Sequence, residues 1–130
     1  MILYNAIKTP DGTILESIHR HDFKFHKDKN GQEYFVDGGL DYLRRSYHLI
    51  DPPIDLTVYD NGSHELRRKY LKWGNNYDEN MNRLSETNWL AIEDMNTGHI
   101  QSILNGNYTN NPLYLETFKN ELKYRKKNNL

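Results

Sequence analysis

Two tight-turn signals in the first third of the chain constrain its fold more than any other feature. They are Pro10-Asp11-Gly12 and Asp28-Lys29-Asn30-Gly31. Proline presets φ for a turn, whereas asparagine and glycine tolerate the left-handed region that tight hairpins require. Segments with strand-like alternation flank both turns, at residues 1–8, 13–18, 21–25 and 33–36. The sequence therefore predicts two β-hairpins, one around each turn.

Elements after the second hairpin are predicted from breakers and capping residues. Gly38-Gly39 ends a strand, and residues 40–47 fit either a short strand or a helical turn. Residues 54–59 alternate as a further strand does. Three helix starts are indicated by a capping residue at Ser63, at Asn96 or Thr97, and at Asn111 followed by Pro112.

The first of these helices is predicted over residues 65–73, with Gly74 as its stop. Residues 75–86 are polar, rich in asparagine and without periodicity, so an exposed loop is expected there. Residues 87–92 return to strand character. In the last helix, Glu121 and Arg125 form an i,i+4 pair that we expect on a solvated face.

Strands come first and helices mainly afterwards, which predicts an α+β fold. We expect a small antiparallel sheet of hairpins, forming a ribbon-like N-terminal half, packed with two or three C-terminal helices. A length of 130 residues fits one domain over 1–130, with residues 1–60 mainly β and 61–130 mainly α.

Charge and cysteine content exclude several classes of protein. The chain has 17 basic and 18 acidic residues, which argues against binding nucleic acid through a general positive field. A local contact with nucleic acid through the basic residues near the C-terminus is left open. With 0 cysteines, neither a disulfide nor a cysteine-ligated zinc site can form. No apolar run is long enough to cross a bilayer, and no signal peptide is recognisable, so we expect a cytoplasmic protein without a membrane partner.

Candidate binding residues are concentrated between positions 19 and 45. They are His19, His21, Asp22, Asp37, Gly38, Gly39, Asp41, Arg44 and Arg45. On a strand, the two histidines would share one face, and with Asp37 or His26 nearby they could bind a metal. The alternative is that these histidines donate to backbone or carboxylate groups in a packed hairpin. The other histidines are scattered without motif spacing, which favours the alternative, and we expect no metal and no cofactor.

An anion site is the second interpretation of the same segment. Gly38 and Gly39 would let backbone N–H groups approach a phosphate or carboxylate, and Arg44 and Arg45 offer bidentate donors. The alternative is a tight turn in which Asp37 caps nearby amides, with the arginines paired to Asp22 or Asp41. The chain carries no dinucleotide or P-loop motif and no Gly-x-Ser-x-Gly nucleophile motif, so catalytic signatures are absent.

A resemblance adds a possible origin. The residues that carry it form four blocks in the order Thr13-Ile14-Leu15-Glu16-Ser17, His19-Arg20-His21-Asp22-Phe23, Val36-Asp37-Gly38-Gly39 and Asp41-Tyr42-Leu43-Arg44-Arg45. This string resembles a family of small, mostly uncharacterised proteins of tailed bacteriophages and their bacterial hosts. In many of those relatives it is a zinc ribbon with two cysteine knuckles. Here the two tight turns stand at the knuckle positions, so we predict that turn chemistry closes the same hairpins without zinc.

The resemblance implies an accessory phage protein acting in the bacterial cytoplasm. Together with the absent catalytic signatures and the near-neutral charge, it leads to the first hypothesis, a non-enzymatic protein that binds a host protein in counter-defence or host takeover. A protein that sequesters a nucleotide or another small anion is the alternative. A metal-dependent hydrolase using His19, His21, Asp22 and Asp37 is the third hypothesis.

Overall fold

The computed structural model describes residues 1–46, 48, 50–78 and 80–130. Within these residues the chain forms antiparallel sheets of hairpin strands and three α-helices, which confirms the predicted α+β class. It divides into two compact units, Met1–Asn61 and Gly62–Leu130, called here the N-terminal and C-terminal units. Their boundary falls where the sequence predicts the change from mainly β to mainly α. A single domain over 1–130 stays a prediction.

The N-terminal unit is built from short antiparallel strands. These are β1 (Ile2–Lys8), β2 (Ile14–Ser17), β3 (Lys24–Lys27), β4 (Glu33–Asp37), β5 (Arg44–Arg45), β6 (Ile54–Asp55) and β7 (Val58–Tyr59). Strand β1 pairs with β2, β6 and β7, and a second sheet has the order β3-β4-β5. The strand predicted at residues 54–59 is therefore two short strands. The segment predicted as strand or helical turn contains a turn and then β5, and its residue 47 lies outside the described residues.

Both predicted hairpins are confirmed, and polar side chains hold their turns. In the first turn, Asp11 Oδ1 accepts the Thr13 amide at 3.1 Å. In the second, Asp28 Oδ1 accepts from the amides of Asn30 and Gln32 at 2.9 and 2.8 Å. These hydrogen bonds lie inside the turns and close the two ribbon-like hairpins.

The core of the N-terminal unit lies between its two sheets. Ile7, Leu15, Tyr34 and Val36 form a buried cluster with one contribution from each of β1 and β2 and two from β4. Tyr34 and Val36 are two residues apart, so they share the inner face of β4, and Phe35 between them must point to the outer face. This alternation decides which side chains of the second sheet reach the surface.

In the C-terminal unit, helices accompany a long two-stranded hairpin. The elements are α1 (His64–Tyr70), β8 (Lys72–Tyr77), β9 (Arg83–Ala91), a 3₁₀ turn (Ile92–Asp94), α2 (Thr97–Asn105) and α3 (Pro112–Lys127). The three predicted helix starts are confirmed, because Ser63, Asn96 and Asn111 each accept a backbone N–H with the side chain. Within the described residues, no helix has the length and apolar character that crossing a membrane requires.

Two predictions for residues 65–86 are wrong. Helix α1 ends at Tyr70, and Trp73 lies in β8, where it packs edge-on against Tyr114 and Phe118 with ring centroids 5.6 and 5.4 Å apart. Gly74 is a strand residue beneath Trp89, and a Cβ there would lie 3.0 Å from that ring. A contact with a distant aromatic residue, and not a helix stop, explains this glycine.

The segment 75–86, predicted as an exposed loop, forms the end of the β8–β9 hairpin. Asp78 Oδ1 accepts the amides of Asn80 and Asn82, both at 2.9 Å, and closes the turn, in which residue 79 lies outside the described residues. Most side chains near the hairpin tip are exposed. Without a buried face the strands show no hydrophobic alternation, which is why their sequence resembles a loop.

Candidate functional site

Two interlocked turns contain most of the predicted site residues. Residues 19–22 form a turn in which the Asp22 amide donates to the His19 carbonyl over 2.9 Å, so the strand predicted from residue 21 begins only at Lys24. Ser17 joins this turn to the next one, since its hydroxyl donates to the Asp22 carbonyl over 2.7 Å and accepts the Gly39 amide at 2.8 Å. The predicted residues are thus neighbours, but on turns and not on one strand face.

The twin glycines are required by close backbone packing. Gly38 has φ +104 and Gly39 φ +54, and a Cβ at either position would overlap backbone atoms, of Tyr42 and of His19 respectively. The Gly38 amide donates to Asp37 Oδ1 over 2.9 Å, and the Gly39 amide is bound by Ser17. Both amides that an anion would need therefore already donate to protein groups. This agrees with the alternative interpretation, a tight turn in which Asp37 caps a nearby amide.

The two arginines have different surroundings. Arg45 lies on the inner side of β5 and donates to Asn5 Oδ1 (2.6 Å), Asp55 Oδ1 (2.7 Å) and Thr57 Oγ1 (2.9 Å). Since Asn5 also donates to the carbonyls of the glycine turn, Arg45 braces the interior of the unit. Arg44 projects from the outer side with its side chain 66% exposed, 3.6 Å from Asp37 Oδ2.

Neither arginine pairs with Asp22 or Asp41, which the sequence suggested as partners. Asp22 instead accepts the Ile18 amide at 2.9 Å and the Lys24 ammonium at 2.9 Å. Burial raises the pKa of Asp22, but these donors outweigh it and the pKa is lowered overall. Asp41 is at the surface, 3.8 Å from Arg20. Asp22 therefore acts as a charged brace of the turn.

The histidines and aspartates do not converge on a point where a metal would sit. His21, with φ +65, places Nδ1 3.2 Å from the Tyr42 hydroxyl, which donates to Asp37 Oδ2 over 3.4 Å. His19 Nε2 lies 4.0 Å from Asp22. Among the described residues, no group of three or more metal-binding side chains is arranged to hold an ion. The geometry gives the hydrolase hypothesis no support.

The outer side of the β3-β4-β5 sheet carries a cluster that the sequence interpretation missed. We call Phe23, Phe25, Phe35 and Arg44 the aromatic face. Phe25 and Phe35 are cross-strand partners, and Phe23 stacks on Phe35 with centroids 5.4 Å apart. The Arg44 guanidinium carbon lies 5.7 Å from the Phe35 ring centroid. Phe23 and Phe25 remain 52% and 51% exposed.

Around the aromatic face, most acidic side chains are buried and the basic side chains are exposed. Three carboxylates of this segment, on Asp22, Asp28 and Asp37, are buried. The surrounding cations are exposed: Arg20, Lys24, Lys27, Lys29 and Arg44. Glu33 and Asp41 are the acidic residues of positions 19–45 that remain at the surface. Arg20, Lys24 and Arg44 are paired with carboxylates of the same segment, so the surface carries a small excess of positive charge, which Lys27 and Lys29 supply.

A second charged cluster lies inside the C-terminal unit. Glu121, with 0% exposure, accepts from Arg68 Nε and Nη2 (2.8 and 3.0 Å), from Arg125 Nε (2.7 Å) and from His64 Nε2 (3.0 Å). Burial raises the pKa of Glu121, but the two guanidinium groups and the imidazole outweigh it and lower the pKa. The expectation of a solvated Glu121–Arg125 pair is wrong.

The cluster is structural. Arg125 also donates to Thr97 Oγ1 (2.8 Å) and to the Ile92 carbonyl (3.1 Å), so it joins α3 to α2 and to the 3₁₀ turn. Arg68 reaches Glu93 from α1 at 3.1 Å. Through these hydrogen bonds the two arginines hold the helices of the unit together.

A hydrogen bond between side chains of the two hairpins predicts how the N-terminal unit responds to acid. His26 Nε2 donates to Asp11 Oδ2 over 2.8 Å, and this bond, followed by one from Thr9, holds the pKa of Asp11 far below its usual range. A depressed carboxyl pKa stabilises the folded state above the unfolded value of about 3.9, and this contribution is lost as pH falls below it. We expect Asp11→Asn to unfold with a smaller difference between pH 6 and pH 3 than the wild-type chain.

The measurement is urea unfolding followed by the NMR methyl signals of Val36, a core residue of this unit. Asp41→Asn is the matched control. Asp41 is exposed, and its surface pair with Arg20, at 3.8 Å, is expected to contribute little to stability. Equal pH dependence of Asp11→Asn and the wild-type chain would show that the Asp11–His26 pair is not formed.

Comparison of the chain with protein-family models, with curated proteins and with solved structures finds no match. The resemblance to phage proteins therefore stays a prediction.

Proposed function

We propose that this chain is a non-enzymatic phage accessory protein whose aromatic face binds a host protein in the bacterial cytoplasm. The observation that supports the proposal is the cluster of exposed Phe23 and Phe25 with half-buried Phe35 beside Arg44. Phenylalanine and arginine are enriched where protein partners bind, and contiguous exposed rings of this kind mark interaction sites on soluble proteins. Counter-defence or host takeover is the role that the resemblance implies.

The aromatic face is arranged in advance of any partner. Tyr34 and Val36, buried on the opposite face, fix the strand on either side of Phe35, and Phe23 stacks on the Phe35 ring. The Phe35 backbone is fixed to Ser46, whose hydroxyl accepts its amide at 3.0 Å. Anchors that are already ordered lose little conformational entropy on binding, so they contribute efficiently to affinity.

The two competing functions lack a comparable feature. An anion binder would need free amides at Gly38 and Gly39, and these donate to Asp37 and Ser17. A metal-dependent hydrolase would need ligands that converge, and the described residues contain no such group. The composition and exposure of the aromatic face favour a protein as its ligand.

The proposal is tested by affinity capture from bacterial lysate, followed by titration of each captured protein in purified form. Phe25→Ser and Arg44→Ala are each expected to weaken binding roughly 10- to 30-fold, since truncation of a central anchor costs about 1.5–2 kcal/mol. Ile54→Ser is the matched control because Ile54 is an exposed apolar residue of the same unit, on β6. It is expected to bind as the wild-type chain does.

Two results would refute the proposal. One is the reproducible capture of a protein that the Phe25 and Arg44 variants bind as tightly as the wild-type chain, which would place the interface elsewhere. The other is the failure of any protein to bind reproducibly at micromolar concentration. Both variants remove exposed side chains, so thermal unfolding close to that of the wild-type chain is required before their binding is compared.

A further inference from the structure

We infer that β3 binds an extended, acidic segment of the partner as an added antiparallel or parallel strand, a mode of recognition that rests on the function proposed above. The features that point to it are outward-facing backbone groups on β3, the aromatic face beside them and the cations along the same strand. Each is independent of the others, and each specifies a different property of the partner.

The hydrogen-bond register shows which backbone groups of β3 face away from β4. The Asp28 amide donates to the Gln32 carbonyl, and in an antiparallel hairpin such bonded pairs alternate with pairs that do not bond to each other. His26 with Tyr34 therefore forms a bonded pair, whereas Phe25 with Phe35 and Lys27 with Glu33 do not. The N–H and C=O groups of Phe25 and Lys27 point outward.

The bonds of β4 on its other side support this register independently. The Phe35 amide donates to the Ser46 hydroxyl over 3.0 Å, and the Phe35 carbonyl accepts the Ser46 amide at 3.3 Å. The Glu33 carbonyl lies 2.7 Å from His48 Nε2. Phe35 and Glu33 thus bond away from β3, as the alternation requires. Among the described residues β3 pairs with β4 alone, which leaves its outer edge open to another strand.

The aromatic face would continue beneath a strand added at this edge. Phe25 lies on the edge strand, and its cross-strand partner Phe35, on which Phe23 stacks, lies further in. Side chains of an added strand alternate between the two faces of a sheet, so every second residue would contact these rings. The partner segment is therefore extended and has apolar residues at alternate positions.

The charges along β3 favour an acidic partner. Lys24 and Lys27 flank Phe25, Lys29 follows in the turn, and all three are exposed. Lys24 is paired with Asp22 at 2.9 Å, and the exposed Glu33 lies opposite Lys27. The edge therefore carries a small excess of positive charge, from Lys27 and Lys29. Lysines on an edge strand also repel a second copy of the same strand, which opposes self-association through this edge.

The test uses a displayed library of random linear 12-residue peptides, selected against the immobilised full-length protein. Enriched peptides are expected to alternate apolar and acidic residues. They are then titrated against Lys27→Pro and Lys27→Ala. Proline removes the outward N–H at a position where β4 receives no bond, whereas alanine removes only the charge. We expect at least about 10-fold weaker binding to Lys27→Pro than to Lys27→Ala.

Hydrogen exchange in the wild-type protein gives a second readout that needs no proline variant. Addition of a selected peptide is expected to slow exchange at the Phe25 and Lys27 amides, while the His26 amide, already bonded to β4, changes little. Equal peptide binding by the proline and alanine variants, with no protection at Phe25 and Lys27, would overturn strand addition.

The failure of strand addition is distinguishable from failure of the proposed function. If peptides bind both Lys27 variants equally but lose affinity for Phe25→Ser, the aromatic face is confirmed and strand addition is refuted. If no peptide is enriched and a single-stranded oligonucleotide of 20 thymidines binds the face instead, the partner is nucleic acid, and both the inferred acidic segment and the proposed protein partner are wrong.

Discussion

Replacement of Glu121 by glutamine is expected to destabilise the C-terminal unit by about 3–5 kcal/mol, because breaking a buried ion pair leaves its partners uncompensated. The carboxylate of Glu121 accepts from Arg68, Arg125 and His64 at 3.0 Å or less and has 0% exposure. A glutamine amide offers one oxygen where two are used, and it turns an N–H donor toward a guanidinium group. Urea unfolding followed by tryptophan fluorescence reports this unit alone, since both tryptophans, Trp73 and Trp89, lie in it.

Glu116→Gln provides the matched control on the same helix. Glu116 is 61% exposed and lies 3.5 Å from Arg67 Nη1, so its loss is expected to change the unfolding free energy by less than about 1 kcal/mol. A Glu121 variant no less stable than the Glu116 variant would show that the buried cluster contributes nothing. Because the pKa of Glu121 is lowered in the folded state, its contribution to stability depends on pH. The contribution is present above the pKa of an unfolded glutamate, about 4.3, and is lost as pH falls below it.

Gly38→Ala is expected to destabilise the N-terminal unit by about 3 kcal/mol or more, since positive-φ strain and an overlap with backbone atoms act together. The added Cβ would overlap the carbonyl oxygen of Tyr42, a backbone atom that a side-chain rotation cannot move aside. Asn5 and Ser17 fix the same turn from two other strands, so the turn has little freedom to shift. The Val36 methyl signals report unfolding of this unit, which lacks tryptophan.

Gly12→Ala separates backbone strain from overlap. Gly12 also has positive φ, at +92, but a Cβ there meets nothing within 4 Å. Its replacement is therefore expected to cost only about 1 kcal/mol, the ordinary penalty of a left-handed conformation. Equal destabilisation by the two substitutions would mean that the glycine turn does not pack against Tyr42 as described.

Features fixed by local chemistry are predictable from this sequence. The turn at Asn30-Gly31 and the caps at Ser63 and Asn111 depend on residues a few positions apart, and all of them form as predicted. The β8–β9 hairpin was not predictable by the same means. Its strands are polar, and the contact that explains Gly74 is with Trp89, fifteen positions later in the chain.

The buried charge at Glu121 shows a second limit. An i,i+4 pair on a lysine-rich helix is typical of a solvated surface, and nothing near Glu121 in sequence indicates burial. Its other partners, Arg68 and His64, come from α1, far earlier in the chain. Tertiary contact alone shows that this pair is internal.

The sequence predicted the approximate position of the candidate site, but the structure assigns different residues to it. The sequence drew attention to residues 19–45 through histidines, aspartates and glycines, and most of these brace two turns. The phenylalanines attracted no notice, because aromatic residues on alternating strands are ordinarily core. Only the assignment of Tyr34 and Val36 to the inner face shows that Phe25 and Phe35 point outward. Arg44 is the predicted site residue that belongs to both descriptions.

Photo-crosslinking in bacterial lysate tests most directly whether the aromatic face contacts a protein. The photoreactive residue p-benzoylphenylalanine is placed at position 25 in one variant and at position 54 in another, since Phe25 and Ile54 are both exposed residues of the N-terminal unit. We expect a discrete adduct of higher mass from position 25 and none from position 54. Adducts from position 54 alone, or from neither position, would contradict partner binding through the aromatic face.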